Sequence, residues 1–235
     1  MEVSELTWPE RLSEFDPGDP EDMFVHEARY LFAAKQLNGD DVLDVACGTG
    51  YGSGLLARFG AKRVVGVDNS PEAIEEARRS VQSPAVEFIA EDALRLDLGR
   101  TFDTVVSFET IEHVADPELF VSVLARHLRP GGTLVCSSPN RHVLNPAATR
   151  RDAPSNPFHL VELDRREFQT ILRDRFAEVT LFAQSCVLPR AIRGRGPFRR
   201  LGDALYRGTA WPSRLPFEAS CIVAVCRSPR PETGP

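Results

Sequence analysis

The sequence predicts an α/β domain in which parallel strands alternate with helices. Apolar segments of strand length alternate along the chain with amphipathic segments of helix length, which is the pattern of β-α-β units. The 235 residues suit one domain, which buries roughly 70% of the surface of its unfolded chain. The hydrophobic and charged fractions, 42% and 26%, match ordinary globular domains and exclude disordered, collagen-like and coiled-coil classes.

The predicted elements run from one end of the chain to the other. We predict strands over residues 41–46, 63–68, 86–90, 103–108, 131–137, 177–183 and 219–226. We predict helices over residues 22–37, 51–60, 71–81, 117–128 and 164–174. The third helix has a clear start signal, since Ser70 is a cap residue, Pro71 suits the first turn and Glu72 complements the helix dipole. We therefore expect one domain over residues 22–228, between an acidic segment over 1–21 and a frayed tail over 229–235.

Charge and targeting signals exclude several functional classes. A net charge of −6 argues against broad contact with a nucleic-acid backbone, which needs many Lys and Arg side chains. A membrane-spanning helix needs about 18 consecutive apolar residues, and the sequence has no such run. The acidic start of the sequence does not resemble a signal peptide. We expect a cytoplasmic protein without a membrane span, and a homodimer is left open.

The cysteines predict reduced thiols rather than a disulfide framework. They are Cys47, Cys136, Cys186, Cys221 and Cys226. Their number is odd, they are scattered, and most of them lie in apolar segments that resemble strands. We therefore expect buried thiols.

Two long irregular segments are expected to form loops over one face of the sheet. Residues 140–157 are rich in Pro, Asn and Arg, and residues 189–216 are rich in Gly, Pro and Arg. Because functional variation resides in loops on a rigid sheet, we predict that both line the entrance for the substrate. Residues 190–214 include seven arginines and one acid, Asp203, and this part is either a solvated lid or a grip for a phosphate.

The first chemical signal is a glycine-rich turn after the first strand. Residues Val42 to Gly52 form an apolar strand, a loop and the start of a helix. Gly48 and Gly50 let a ligand approach the backbone, and the helix N-terminus offers free N–H groups. The spacing G-x-G-x-G lacks the G-x-G-x-x-G fingerprint of dinucleotide sites, and Asp44 would repel a diphosphate. The turn therefore favours a ligand that carries an ammonium group.

Acidic residues also lie at the ends of the next two strands. Asp68 ends the second strand, where a carboxylate binds the two ribose hydroxyls of adenosine ligands. Asp92 follows the third strand and suits the amino group of adenine. Together with Asp44, these acids indicate a site for an adenosine ligand.

Five segments of the chain carry a family resemblance. They are VLDVACGTGYGS, GVDNSPEAI, VEFIAEDA, FDTVVSFETIEHV and LRPGGTLVCSSPN. Over residues 22–185 the sequence resembles the class I S-adenosylmethionine-dependent methyltransferases. The resemblance implies a Rossmann-like mixed sheet of seven strands in the order 3-2-1-4-5-7-6, with the last strand antiparallel and helices on both faces. It also implies S-adenosylmethionine as the cofactor.

The same resemblance assigns the cofactor contacts. The glycine turn and Asp44 would hold the methionine part, Asp68 would hold the ribose, and the remaining polar contacts would hold the adenine. The run from His26 to Ala33 resembles the N-terminal helix that covers the cofactor in some small-molecule and sugar methyltransferases, although a helix that only covers the sheet fits equally well. The full set is Tyr30, Asp44, Gly48, Gly50, Asp68, Asn69, Asp92, Ala93 and Phe108.

The acceptor chemistry is expected at the carboxyl ends of the later strands. After the fourth strand, Glu109, Glu112 and His113 would share one face if the segment forms a helical turn. Further along, His159 brings a second imidazole to the same cleft. We predict His113, Glu112 and His159 as the catalytic residues.

The other two histidines downstream of the fourth strand are expected to be uninvolved. His127 precedes Pro130 and is predicted to lie on the surface, where a positive charge favours the helix C-terminus. His142 is predicted to lie in a loop.

The E-x-x-E-H pattern with a later histidine leaves two mechanisms open. It resembles ubiquinone-pathway O-methyltransferases and small-RNA 3′-terminal 2′-O-methyltransferases, in which these side chains hold a divalent cation. That resemblance implies a site for Mg, Mn or Zn, formed by Glu109, Glu112, His113 and His159. In the second mechanism, His113 acts as a general base without an ion. In that pattern an aromatic residue usually follows the acid at Glu162. This chain departs from the pattern because it has Leu163 there.

The leading hypothesis is methyl transfer to a hydroxyl of a small-molecule acceptor, such as a sugar or a natural product. N-methylation of an amino sugar or amine is one alternative. Methylation of an RNA 3′ end is another, although the net charge makes a nucleic-acid partner a poor fit. A subunit with the methyltransferase fold that binds the cofactor without catalysis is the third.

Overall fold

The computed structural model describes residues 20–39, 41–154, 156–186, 211–212, 214 and 219–230. Nearly all of the predicted acidic segment over 1–21 lies outside these residues, as do most of the predicted loop over 189–216 and the end of the predicted tail. Within the described part of the chain, no helix is long and apolar enough to cross a membrane.

Seven strands form one mixed sheet within the described residues. They are β1 (Asp41–Val45), β2 (Arg63–Asp68), β3 (Val86–Ala90), β4 (Phe102–Ser107), β5 (Leu128–Pro139), β6 (Phe176–Cys186) and β7 (Ala219–Pro229). Their order across the sheet is β3-β2-β1-β4-β5-β7-β6, and β7 runs antiparallel to both of its neighbours. The neighbouring pairs among β1 to β5 are parallel. The strand order and the antiparallel last strand are therefore confirmed.

Helices cover both faces of this sheet. They are α1 (Pro20–Ala34), α2 (Tyr51–Arg58), α3 (Pro71–Ser80), α4 (Pro117–Arg126), α5 (Arg141–Leu144) and α6 (Arg165–Arg175), with a 3-10 helix over Ile111–His113. The alternation along β1 shows the arrangement: Leu43 belongs to the apolar cluster that contains α4 and α6, whereas Val42 belongs to the cluster that contains α1 and α2. Successive strand residues thus point into two separate cores.

Side-chain caps fix where the main helices begin. The Ser70 hydroxyl accepts from the Ala73 amide at 3.2 Å, as the predicted start of α3 requires. The start of α6 has a full capping box, in which the side chains of Asp164 and Glu167 each bind the other residue's backbone N–H. Such caps satisfy donors that have no partner inside the helix.

Several elements extend beyond their predicted bounds. Strand β5 begins three residues earlier than predicted, and β7 continues to Pro229, which pairs with Phe176. The Arg230 amide then donates to the Arg175 carbonyl at 2.8 Å, so the start of the predicted tail is bound to the sheet. The short helix α5 lies inside the predicted loop over 140–157 and carries His142. Pairing between strands continues through polar residues, which a hydrophobic pattern cannot register.

The predicted surface position of His127 is wrong. The ring is only 3% exposed, its Nδ1 donates to the Val123 carbonyl at 2.7 Å, and its Nε2 accepts from the Leu98 amide at 3.4 Å. Burial lowers the pKa of His127, which favours the neutral ring. The residue therefore joins two backbone segments instead of adding a positive charge to the end of α4.

The prediction of reduced thiols is confirmed where side chains are described. Cys47, Cys136, Cys221 and Cys226 are buried, and none of these four described side chains forms a disulfide. The side chain of Cys186 lies outside the described residues.

Arg141 joins the segment after β5 to the start of α6. The residue is only 7% exposed, and its Nη2 lies 2.8 Å from a carboxylate oxygen of both Asp164 and Glu167. Its Nε donates to the Glu162 carbonyl at 3.2 Å. One guanidinium thus holds together two segments on either side of the loop that carries His159.

We expect Arg141→Met to lower the free energy of unfolding by about 1–3 kcal/mol, because the Asp164 and Glu167 carboxylates lose their shared cation and keep their capping amides, while the Glu162 carbonyl loses the Arg141 donor. Urea unfolding followed by circular dichroism measures the loss. The matched control is Arg150→Met, because Arg150 forms an exposed ion pair with Glu118 at 2.7 Å. That variant should change stability by less than about 0.5 kcal/mol, and equal losses in the two variants would contradict this account.

Candidate active site

The glycine turn between β1 and α2 exposes its backbone at one point. Ala46, Gly48 and Gly50 have φ values of 61°, 55° and 81°, in the left-handed region that glycine adopts freely. A Cβ atom at Gly50 would lie 2.5 Å from the Phe88 ring, whereas one at Gly48 would meet no atom within 4 Å. Gly50 is therefore required by packing, and the backbone at Gly48 is open to a ligand.

Asp44 is a buried carboxyl group beside this turn. It is 0% exposed and accepts hydrogen bonds from the Ser53 hydroxyl at 2.6 Å and the Tyr30 hydroxyl at 3.2 Å. Burial raises the pKa of Asp44 to about 7, although the two hydrogen bonds oppose the shift. A cationic ligand group would offset the cost of ionising this carboxyl group.

Helix α1 lies against the glycine turn through Tyr30. The Tyr30 ring occupies the space where a side chain at Gly52 would lie, and its centroid is 5.0 Å from that of Phe108. One turn earlier, His26 hydrogen-bonds to the Tyr51 hydroxyl on α2. The structure thus brings Tyr30, Phe108 and Asp44 together. Helix α1 does not only cover the sheet, because it also contacts the glycine turn and α2.

Asp68 and Asp92 follow neighbouring strands at the same edge. Asp68 is buried, and its carboxylate accepts from the Gly48 amide at 2.9 Å and the Ser70 amide at 3.0 Å. Asp92 is exposed and accepts from the Leu94 amide at 2.9 Å. The predicted adenine contacts Asn69 and Ala93 lie beside these acids in the chain, with Asn69 exposed and Ala93 half-buried. The predicted cofactor residues therefore line the carboxyl ends of β1 to β4.

The loop that carries His159 docks onto the 3-10 helix after β4. The Glu112 carbonyl accepts from the Leu160 amide at 2.8 Å and from the Val161 amide at 3.1 Å. These bonds bring His159 to His113, with ring centroids 5.1 Å apart and the rings nearly perpendicular. Two histidines 46 positions apart in the chain thus face each other, as predicted.

Both imidazoles are oriented through Nδ1. The Nδ1 of His113 donates to the Phe158 carbonyl at 3.0 Å, because a carbonyl oxygen can only accept. The Nδ1 of His159 lies 3.2 Å from the Glu162 carboxylate, and its Nε2 lies 3.1 Å from the Asn156 amide nitrogen. Such bonds place the lone pair of each ring on Nε2, and the Nε2 lone pair of His159 accepts from the Asn156 side-chain amide.

Three of the four predicted metal ligands converge. Among the described residues, Glu112, His113 and His159 each offer a ligand atom within 4.8 Å of the others. Glu112 is buried, and the two histidines are half-buried. One carboxylate and two imidazoles form a donor set that fits Zn²⁺ or Mn²⁺, and the same group can also hold and accept a proton.

The prediction that Glu109 shares this face is wrong. The helical turn covers only Ile111–His113, and Glu109 precedes it with a φ of 46°. Its carboxylate instead lies 3.1 Å from Arg29 Nη1 and accepts from the Ser137 hydroxyl at 2.8 Å. The left-handed backbone breaks the helical spacing, so Glu109 does not belong to the metal-ligand group.

Sequence reasoning missed the residues that position this site. They are Arg29, Ser53, Ser137, Asn156, Glu162 and Gln184. Glu162 is the acid of the downstream histidine pattern, and Arg29 lies on the helix face that Val25 and Phe32 bury, where an apolar residue is expected. Ser137 and Gln184 meet partners far away in the chain, whereas Asn156 and Glu162 bond to His159 within a loop whose conformation the residue pattern does not predict.

Comparison with known proteins gives one family. A model of a methyltransferase domain matches residues 43–136. A probable S-adenosylmethionine-dependent methyltransferase of Mycolicibacterium smegmatis is 39% identical over 66% of this chain and 58% of its own length. A protein of the same description from Mycobacterium tuberculosis is 33% identical over 84% of this chain and 72% of its own length.

Two further similarities bear on the acceptor and on the fold. A ubiquinone biosynthesis O-methyltransferase of Rhizobium etli is 34% identical over 64% of this chain and 61% of its own length. The N-methyltransferase NodS of Bradyrhizobium japonicum, solved with S-adenosylhomocysteine, superposes with a TM-score of 0.61 over 92% of each chain at 18% identity, which shows a shared fold. The chain thus spans 58 to 72% of the length of these curated relatives. Given these matches and the strand order, the chain belongs to the S-adenosylmethionine-dependent methyltransferases.

Proposed function

We propose that this methyltransferase acts on a hydroxyl group of a small-molecule acceptor, such as a sugar or a natural product. The observation that carries the proposal is the Glu112, His113 and His159 group at the carboxyl end of β4. A hydroxyl acceptor must lose a proton, and this group can take it. The similarity to a ubiquinone biosynthesis O-methyltransferase supports the same chemistry. A subunit that only binds the cofactor would not need two oriented imidazoles.

We assign the cofactor to the predicted residues at the carboxyl ends of β1 to β3. The Asp44 carboxylate would hold the ammonium of the methionine part, Asp68 would hold the ribose hydroxyls, and Asp92 with the Ala93 amide would hold the adenine edge. The open backbone at Gly48 leaves room for a ligand there, since a Cβ atom at that position would meet nothing within 4 Å. When bound, the cofactor supplies an electrophilic methyl group.

The protein's own residues would position the acceptor and remove its proton. The Nε2 of His113 would accept the acceptor's proton, while the Phe158 carbonyl holds the ring through Nδ1. The buried Glu112 carboxylate would stabilise the imidazolium that forms. Aligning the acceptor and excluding water supply much of the remaining acceleration, because the reaction needs only an in-line approach at about 3 Å.

A divalent cation is compatible with the same three side chains. Glu112, His113 and His159 would hold it, and it would lower the pKa of an acceptor hydroxyl as a Lewis acid. The two mechanisms predict different responses to a chelator.

The cofactor assignment predicts the effect of Asp68→Ala. We expect this variant to weaken the binding of S-adenosylhomocysteine by about one to two orders of magnitude, because the ribose hydroxyls lose their acceptor at a buried site. Isothermal titration calorimetry measures the change. The matched control is Asp97→Ala, which removes an exposed carboxylate that accepts from the Gly99 amide. Similar losses in the two variants, or tight binding of NADH in place of the sulfur ligand, would refute the assignment.

The raised pKa of Asp44 predicts proton release on cofactor binding. Near pH 6 the carboxyl group is mostly protonated, since its pKa is about 7, and an ammonium group would displace that proton. Calorimetry of S-adenosylhomocysteine binding in buffers of different ionisation enthalpy should therefore show release of close to one proton at pH 6 and much less at pH 8. Asp44→Asn should abolish the release. An unchanged proton count in that variant would show that another group titrates.

The raised pKa of Asp44 also predicts how the free energy of unfolding depends on pH. Because the folded pKa of Asp44 is raised, the unfolded chain loses this proton first, and the free energy of unfolding should fall as the pH rises from about 4 to about 7. Asp44→Asn should reduce the slope over that range in denaturant titrations without cofactor.

The acceptor assignment predicts the effect of His113→Ala. We expect turnover to fall at least about a hundredfold while the affinity for S-adenosylhomocysteine stays within about twofold, because the ring serves the acceptor and not the cofactor. Formation of S-adenosylhomocysteine with a panel of sugar and phenol acceptors provides the assay. His142→Ala is the control, since that ring lies on α5. Near-normal turnover in His113→Ala would instead favour an amine acceptor that arrives deprotonated.

A chelator then separates the two mechanisms. EDTA should abolish turnover, and Mg²⁺ or Mn²⁺ should restore it, if the three side chains hold an ion. Unchanged turnover in EDTA would assign the proton to His113 alone.

A further inference from the structure

Glu109 is tied to its neighbours by both backbone and side chain. Its amide donates to the Ser137 hydroxyl at 3.0 Å, and the same hydroxyl donates to its carboxylate at 2.8 Å. The carboxylate also lies 3.4 Å from the Cys221 thiol, which donates to it. About a third of the side chain is exposed, at 32%, so burial alone does not fix its position.

Arg29 is the cation that meets this carboxylate, and its own position is fixed. The guanidinium is 5% exposed, and its Nε donates to the Gln184 side-chain carbonyl at 2.7 Å. Gln184 is fully buried and donates in turn to the Val25 carbonyl at 2.8 Å. The Nη1 group of Arg29 lies 3.1 Å from Glu109 and donates to Ser137 at 3.3 Å. The Arg29 guanidinium is buried and is also bonded to Gln184 and Ser137, so it cannot move together with Glu109. The Glu109 carboxylate therefore stays beside Arg29.

The charge of Arg29 also reaches the acceptor group. Burial opposes that charge, but the neighbouring Glu109 and Glu112 carboxylates raise the pKa of Arg29. The guanidinium therefore lies near both carboxylates of the E-x-x-E-H pattern. It bonds directly to the first of them, while the second belongs to the group with His113 and His159.

We propose that Arg29 is a positioning residue that holds Glu109 away from the Glu112, His113 and His159 group and leaves that group with one carboxylate. This inference rests on the proposed function, because it assigns the composition of the same acceptor site. A divalent cation at the site would then have three protein ligands instead of four. Glu109 would become available as a fourth ligand only when its ion pair with Arg29 is broken.

Binding of Mn²⁺ to the full-length protein without cofactor tests the ligand set. Electron paramagnetic resonance of free Mn²⁺ gives the affinity without any turnover. Glu112→Gln should weaken binding at least about tenfold, because affinity follows the number of charged ligands. Glu109→Gln should change the Mn²⁺ affinity by less than about twofold, since the side-chain carbonyl oxygen of the glutamine still accepts from Arg29. Equal losses in this matched pair would overturn the proposal.

Arg29→Met tests the positioning role itself. Removing the guanidinium releases Glu109, so Mn²⁺ should bind about tenfold more tightly, or become measurable if the parent protein binds none. Loss of a nearby positive charge would also favour a cation, so Arg29→Met with Glu109→Gln is the control for that effect. The proposal requires the single variant to bind more tightly than the double variant. Equal affinities in the two variants, or no binding by any variant, would overturn it.

Folding and function are checked separately. If Arg29→Met does not fold by circular dichroism, Arg29→Lys replaces it, because Lys keeps the charge but cannot bond to Gln184 and Glu109 at once. It should give a smaller increase in Mn²⁺ affinity. Failure of the proposed function appears as unchanged turnover in His113→Ala, whereas failure of this inference appears in Mn²⁺ affinity.

Discussion

The parallel pairing of β1 with β2 on one side and with β4 on the other decides where the site forms. Asp44 is in register with Gly66 of β2 and with Val106 of β4, so the three strands end together. Because parallel strands share a carboxyl edge, Asp44, Asp68 and Phe108 reach one place although other elements separate them in the chain. The helices between them are needed to return the chain to the opposite edge, and their caps determine where each return begins.

Helix α1 connects the two halves of this site through adjacent residues. Tyr30 points to the glycine turn, where it bonds to Asp44 and packs on Gly52. Arg29 points to the end of β4, where it meets Glu109. One helix therefore contacts both the glycine turn and the segment that leads from β4 to Glu112 and His113. A displacement of α1 would disturb the contact of Tyr30 with Asp44 and that of Arg29 with Glu109 at once, because the two residues are adjacent on the helix.

Backbone hydrogen bonds hold the loop that carries His159 in place. The amides of Leu160 and Val161 hold the loop against the Glu112 carbonyl, and the Arg141 amide donates to the Leu163 carbonyl at 2.9 Å. These bonds do not depend on side-chain type, which is consistent with the departure from the family pattern at Leu163. That side chain is fully buried in the main core, so an apolar residue of another shape fills the position.

The sequence by itself determined the alternation of elements, the glycine turn, the strand-end acids and the pairing of His113 with His159. Each of these follows from local chemistry or from the fixed geometry of parallel strands. Only the tertiary structure decided the place of Glu109, because a left-handed backbone residue overrode the helical spacing. It also decided the burial of His127 and the role of Arg29. These depend on partners far away in the chain, such as Gln184, and residue spacing contains no information about a contact of that kind.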